Sequence, residues 1–303
     1  MYRNILVPLD GSAFAEVAIP TAAALANAMD ASLTLVHVRE AEAPDYRAGE
    51  AALAAQRTMF LARAATETET SYRIKASTLL LEGNPIDEMC ASAAERDKAL
   101  VVMTTHGRTG WSRVWLGSVA DGVMRHATTP VLMLSIREAP HNTAAGWPLP
   151  FRTIVVPLDG TSFAEEVVPH AAAIAEASRA RLILLHVVTP VAPPAPEIPT
   201  SYVPPAELIT ELTESIAQRS RDYTAGISAM LRAAHPRLEL SDEVVVADSV
   251  ARAIIETAKR RQADCIALAT HGRGLSRLVV ASVADKVVRA GPGAVLLMRP
   301  AHD

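Results

Sequence analysis

Short, continuously apolar runs alternate along the chain with longer segments that mix alanine and charged residues. The first run, ILVPL from Ile5, ends on Asp-Gly-Ser, which reads as a strand followed by a helix-start signal. The alanine-rich segment after it continues to Met29 as a helix. Pro20 either kinks that helix or marks the first turn of its main part. SLTLVHV from Ser32 predicts a second strand, and roughly Tyr46 to Thr68 a long helix. IKASTLLLE from Ile74 is a third strand, Pro85 opens a helix to Arg96, and ALVVMT from Ala99 is a fourth strand. A glycine-bearing loop, a helix from about Gly117 to His126 and the strand PVLMLS from Pro130 complete the unit. Runs one, four and five are apolar throughout rather than alternating, as burial on both faces of a parallel sheet requires.

The pattern is then written a second time. RNILVPLDGSAFAEVAIPTAAALA from Arg3 returns without a gap as RTIVVPLDGTSFAEEVVPHAAAIA from Arg152, and TLVHV from Thr34 returns as ILLHV from Ile183. THGRTGWSRVWLGSVAD from Thr105 returns, one residue shorter, as THGRGLSRLVVASVAD from Thr270. With right-handed crossovers the repeat predicts an α/β protein of two tandem doubly wound parallel-sheet (Rossmann-like) domains, about five strands each. The domains are expected at 1–138 and 150–303, with the polar, proline-bearing 139–149 as linker. The second domain carries a proline-rich insertion near 190–205, read as an extended surface arm or as a cover over a pocket or subunit contact.

Composition narrows the setting. A formal net charge of −4 without a long basic run disfavours a general nucleic-acid surface. The start, MYRNILVPLDGS, lacks a signal-peptide core, and no apolar run reaches membrane-spanning length, so a cytoplasmic location is expected. Cys90 and Cys265 sit in no metal-binding or redox spacing and read as reduced thiols.

Ligands of open parallel sheets bind beyond the carboxyl ends of the strands, where strand order reverses. That places Pro8, Leu9 and Asp10, then His37 and Val38, then the loop from Thr104 to Ser118 around one crevice. The second copy places Pro157, Leu158, Asp159, His186, Val187 and the loop from Ala269 to Ser282 around another. In the first loop Gly107, Gly110 and Gly117 allow positive φ and close backbone approach. Gly117-Ser118 opens a helix whose free N–H groups suit a phosphate, with Arg108 or Arg113 to add charge. A glycine-rich turn capped by Ser118 explains the same residues. Asp10 and Asp159 are likewise open to two roles, a place in the site or capping of the following helix.

Both halves resemble tandem members of the universal stress protein family, over nearly the whole chain. Nucleotide-binding members carry Gly-x2-Gly-x9-Gly-Ser/Thr in this loop, a strand-one Asp and a Val after strand two. Gly107, Gly117 and Ser118 match the second glycine, third glycine and hydroxyl, with nine residues between the two glycines. Thr104 and Ala269 stand where the first glycine belongs. In the second copy Gly272 and Ser282 remain, but Ala281 replaces the third glycine and the loop is shorter.

The resemblance implies ATP, with or without Mg²⁺, bound better in the first half. Asp10 or Asp159 would orient the adenosine and Val38 or Val187 would lie against adenine. It assigns Met103, Arg108 and Val119, and their counterparts Arg273 and Val283, to the same sites. It also implies a stress-response regulator rather than an efficient catalyst, pairing of the two halves through their last strands, further homodimerisation, and protein partners that it does not name.

Nine histidines show no metal-binding spacing, and His37 and His186 are expected to bond backbone at strand ends. No nucleophile elbow and no P-loop lysine is present. Two other readings stay open: a non-binding interaction module of the same fold, and an ATP-using enzyme, which lacks a visible catalytic set.

Overall fold

The computed structural model describes residues 2–40, 50–105, 117–135, 150–191, 205–270, 283–291 and 293–299. The first half runs β1 (Asn4–Pro8), α1 (Ala13–Glu16), α2 (Ala18–Met29), β2 (Ser32–Arg39), α3 (Glu50–Tyr72), β3 (Ala76–Glu82), α4 (Pro85–Ala94), β4 (Ala99–Thr104), α5 (Ser118–His126) and β5 (Val131–Leu134). The second repeats it as β6 (Thr153–Leu158), α6 (Ser162–Glu165), α7 (Val168–Ser178), β7 (Arg181–Val188), α8 (Ala206–Ala234), β8 (Leu240–Val246), α9 (Val250–Arg260), β9 (Cys265–Ala269), α10 (Val283–Ala290) and β10 (Ala294–Met298).

All ten strands form one sheet, in the order β3-β2-β1-β4-β5-β10-β9-β6-β7-β8. Within each half every neighbouring pair is parallel, as the doubly wound reading requires. The halves join where β5 and β10 run antiparallel, Val131 facing Leu297 and Leu134 facing Ala294. All six residues of β4 and all four of β5 are buried, so their unbroken apolar runs have the predicted cause.

Strand residues alternate between two faces, and each face has its own core. Ile5, Val7, Leu33 and Leu35 pack with α2 and Leu61 of α3. Leu6, Val36, Val101 and Met103 pack with Met89 of α4 and Val123 of α5. Both cores continue into the second half. Tyr2, only 4% exposed, bridges the halves through a 2.8 Å hydrogen bond between its hydroxyl and His170 Nδ1 on α7.

Several boundaries differ from expectation. The alanine-rich segment divides into α1 and α2, and Pro20 falls in the first turn of α2, where no intrahelical N–H bond is lost. α3 continues to Tyr72 and stops at Arg73, whose φ of 51° is left-handed. That stop delays β3 to Ala76 instead of Ile74. α4 ends at Ala94, two residues before the expected Arg96, ahead of a second left-handed turn at Lys98 (φ 51°). The start of α3 near Tyr46, the linker from 139 to 149 and most of the proline-rich insertion lie outside the described residues.

Candidate functional site

In the first half β2 and β3 are laid down to one side of β1, and β4 and β5 to the other. The crossovers therefore leave the sheet in opposite directions at the carboxyl ends of β1 and β4, which opens a crevice there. A cavity of about 410 Å³ occupies it. Its lining includes His37 and nine further described residues that the sequence assigned to this site. Pro8, Leu9 and Asp10 come from the end of β1, and Val38 from β2. Met103 and Thr104 end β4, and Gly117, Ser118 and Val119 open α5. Gly107 and Arg108 lie outside the described residues.

Asp10 borders the cavity and supports the cap of α1 without being the cap itself. The N-cap of α1 is Ser12, whose Oγ accepts from Ala15 N at 3.3 Å. Asp10 Oδ1 in turn accepts from Ser12 N at 2.9 Å and from Ser12 Oγ at 2.6 Å. Gly11, at φ 84°, turns the chain between them in a conformation that side chains resist. Asp10 thus fixes the serine that fixes the helix, while the carboxylate borders the cavity. Asp159, Gly160 (φ 85°) and Thr161 repeat the turn, with Thr161 N and Oγ1 donating to Asp159 Oδ1 at 3.0 and 2.6 Å.

The start of α5 is the anion-seeking end of the cavity. Its N-cap is Gly117, with no side-chain cap, so Ser118 does not cap this helix and the capping explanation for it is set aside. Gly117 N donates to Thr105 O at 2.9 Å, tying the turn to the end of β4. The following N–H groups present the positive end of the helix dipole. Gly117 has φ −59° and ψ 148°, which any residue adopts, so positive φ is not its contribution. The lack of a side chain beside the cavity is what remains. Within α5 Asp121 and Arg125 pair through hydrogen bonds of 2.7 and 2.9 Å, and α4 packs against the helix, where Ile86 fills the space a Cβ on Gly122 would take.

Sequence reasoning missed the outer wall. Arg39 ends β2 and Glu40 follows it, Arg57 reaches in from α3, and Pro85 and Met89 from α4, with Ala15, Val36 and Ala120 completing the lining. Arg39 and Glu40 directly follow Val38, so the strand-end rule would have included them had it been carried two residues further. Arg57 has no such signal, because its place depends on how α3 crosses the sheet. Arg39 forms an ion pair with Glu82, whose carboxyl the guanidinium holds below its ordinary pKa.

His37 lines the cavity, and its Nδ1 meets the Leu9 carbonyl at 2.7 Å, the strand-end backbone bond expected of it. His186 does not repeat the bond. Its Nδ1 is buried without a partner, and burial holds the ring's pKa below its ordinary value although Asp159 opposes the shift. The expectation of a backbone bond at His186 is therefore corrected: the ring stands edge-on to Tyr223, with centroids 5.9 Å apart. Of the second-half candidates, Pro157, Leu158, Asp159 and Val187 stand at the ends of β6 and β7, and Val283 opens α10. Gly272, Arg273 and Ser282 lie outside the described residues. Among the described residues no group of three His, Cys, Asp or Glu side chains could hold a metal ion, and no helix is long and apolar enough to cross a membrane.

The architecture and the repeat have counterparts. The model of the universal stress protein family matches this chain twice, over residues 1–135 and 150–299. The chain belongs to that family. A universal stress protein of Methanocaldococcus jannaschii is 29% identical over 140 residues, which cover 44% of this chain and 82% of that protein. One from Bacillus subtilis is 28% identical over 147 residues, 44% of this chain and 99% of its own. Each of these relatives therefore corresponds to a single half. The universal stress protein from Archaeoglobus fulgidus, by contrast, superposes along the tandem chain with a TM-score of 0.70 at 16% identity, covering 98% of both chains. That likeness is one of fold, and it extends to the joining of two halves.

Proposed function

We propose that the first-half cavity binds an adenine nucleotide, ATP, and that the protein acts as a stress-response regulator or switch rather than as an efficient catalyst. The observation that carries the reading is the uncapped start of α5 at one end of a 410 Å³ cavity whose opposite end is formed by β2. Phosphates suit the start of α5 and the N–H groups that follow Gly117, with Gly107 and Arg108 of the adjoining loop in support. Val38 offers an apolar surface to adenine, and the Asp10 carboxylate accepts from donors on the adenosine. Met103, Thr104 and Val119 close the wall between these ends. No nucleophile, base and orienting group come together in this lining, which favours binding over turnover.

The second half takes the nucleotide more weakly in this reading, because Ala281 stands where Gly117 clears the helix start. The units are taken as 1–138 and 150–303, working in the cytoplasm, where the free thiols Cys90 and Cys265 stay reduced. Homodimerisation of the whole chain and contact with further proteins belong to the same proposal.

One observation favours a second reading, that of a non-binding interaction module. Thr104, 6% exposed, puts a branched side chain into the cavity wall where nucleotide-binding relatives have glycine. Calorimetric titration of the native chain with ATP decides between them, together with mass analysis of whatever a denatured sample releases. Saturable binding at about one site per chain is expected. No heat and no released adenine nucleotide would leave the interaction module standing.

A further inference from the structure

The cavity has a polar end that the nucleotide reading leaves unused. Arg57 belongs to α3, and its position can be fixed from its neighbour one turn on. Phe60 stands edge-on to His37 at the end of β2, with ring centroids 6.3 Å apart and an interplanar angle of 68°. Arg57 precedes Phe60 by three residues, so it lies on the same helix face and nearer the N-terminus of α3. α3 runs antiparallel to the strand before it, which puts that N-terminal side over the mouth of the crevice. Arg57 does line the cavity there, together with Arg39 and Glu40.

The start of α5 follows β4, and the sheet order β2-β1-β4 separates that strand from β2 by two strand spacings, about 10 Å. A phosphate seated on α5 is thus about 10 Å, roughly a nucleoside's length, from the end of β2, where Arg57 lines the cavity. Charge also argues against a second phosphate at the β2 end. Asp10 and Glu40 line the cavity beside the arginines, and Arg39 is committed to an ion pair with Glu82. A neutral, planar, donor-bearing group fits better: its face meets a guanidinium and its N–H or O–H groups meet the carboxylates.

We infer that Arg57 is the base-recognition residue of the first-half site, lying with its guanidinium plane against the nucleobase while Val38 supports the ring from the sheet. The inference rests on the nucleotide reading and deepens it. It also separates the halves. Tyr223 stands edge-on to His186 as Phe60 does to His37, so α8 and α3 align there, and the residue three before Tyr223 is Ser220. Ser220 is 6% exposed and donates to the Ile216 carbonyl of its own helix at 2.9 Å. Arg39 is matched by Val188, 3% exposed. The second crevice has neither guanidinium at these positions.

The test is displacement of a fluorescent ATP analogue from the full chain by ATP and by adenosine, for wild type, Arg57→Ala and Arg57→Lys. Arg57→Ala should weaken ATP and adenosine by the same factor, about tenfold. Arg57→Lys, which keeps the charge and loses the plane, should recover little of it. A loss much larger for ATP than for adenosine, recovered by lysine, would make Arg57 a phosphate ligand and overturn the assignment. Unchanged affinity for both in Arg57→Ala would overturn it as well, while leaving the nucleotide reading intact. Wild-type chain that binds no ATP removes the nucleotide reading itself. Thermal melts of the variants check the fold, and a half-buried helix surface position should shift them little.

Discussion

The two crevices share a frame and differ in what lines it. Both begin with a Pro-Leu-Asp-Gly turn in which the aspartate holds the next helix's cap through bonds of 2.9 and 2.6 Å in one half and 3.0 and 2.6 Å in the other. Both set a strand-two histidine edge-on to an aromatic ring. Beyond that they part. His37 is satisfied by Leu9, whereas His186 Nδ1 has no partner, and Tyr223 spends its hydroxyl on Glu165 at 2.9 Å. Arg57 and Arg39 give way to Ser220 and Val188, and Gly117 to Ala281. The turn that opens each crevice is kept, whereas the backbone bond of His37 and the cavity-lining Arg39 and Arg57 of the first half are not repeated in the second.

The most forceful way to break the comparison is Gly117→Trp. The nucleotide reading expects ATP affinity to fall about 100-fold or more, since the loss of two charge-assisted bonds at a helix start is of that order. The melting transition should stay nearly in place, because φ −59° suits any residue. Gross unfolding of this variant would make the glycine structural instead. Next in size is the aspartate pair. Asp10→Ala should cost about tenfold in ATP affinity and Asp159→Ala should leave the affinity of the tight site unaltered, while both lose about 1 kcal/mol of stability through the weakened cap. Equal binding losses would show that the two crevices work alike.

The histidines sharpen the contrast on stability alone. His37→Phe strands the Leu9 carbonyl and should cost about 1 kcal/mol, whereas His186→Phe removes an unpartnered nitrogen and should be close to neutral in denaturant titration. The smallest effect is that of pH. Burial lowers the pKa of His186 and of His170 in the folded chain, so the unfolded chain binds more protons. Their contribution is therefore complete above the unfolded histidine value, near pH 6.5, and falls away as pH drops toward the folded ones. His186→Phe should flatten part of that slope. A stability that rises on acidification through this window would contradict the assignment.

The parts of the molecule governed by local chemistry were open to reading from the chain. β4 and β5 announce their two-sided burial in unbroken apolar runs, and Asp10-Gly11-Ser12 declares a turn and a cap at once. Val38 and Gly117 follow because strand ends converge in a doubly wound sheet, and Met103 follows from the family resemblance. What stayed hidden depends on geometry between elements. Arg57 is one of two arginines on a long helix until the contact of Phe60 with His37 fixes the rotation of α3. Pro85 and Met89 reach the cavity because α4 packs close to α5 over Gly122. His186 looked like the twin of His37, and no sequence signal separates a bonded ring from a stranded one.

The antiparallel seam of β5 with β10 has a consequence for how the two halves change over time. In a dimer of identical chains every substitution appears twice, so an improvement on one side of the axis is imposed on the other. Covalent continuity lifts that constraint. The hydroxyl of Tyr2 meets His170, and the corresponding positions of the other half hold Phe151 and Thr21, a pair without that bond's chemistry. A single chain can thus remain its own obligatory partner while one lobe is preserved and the other is free to drift.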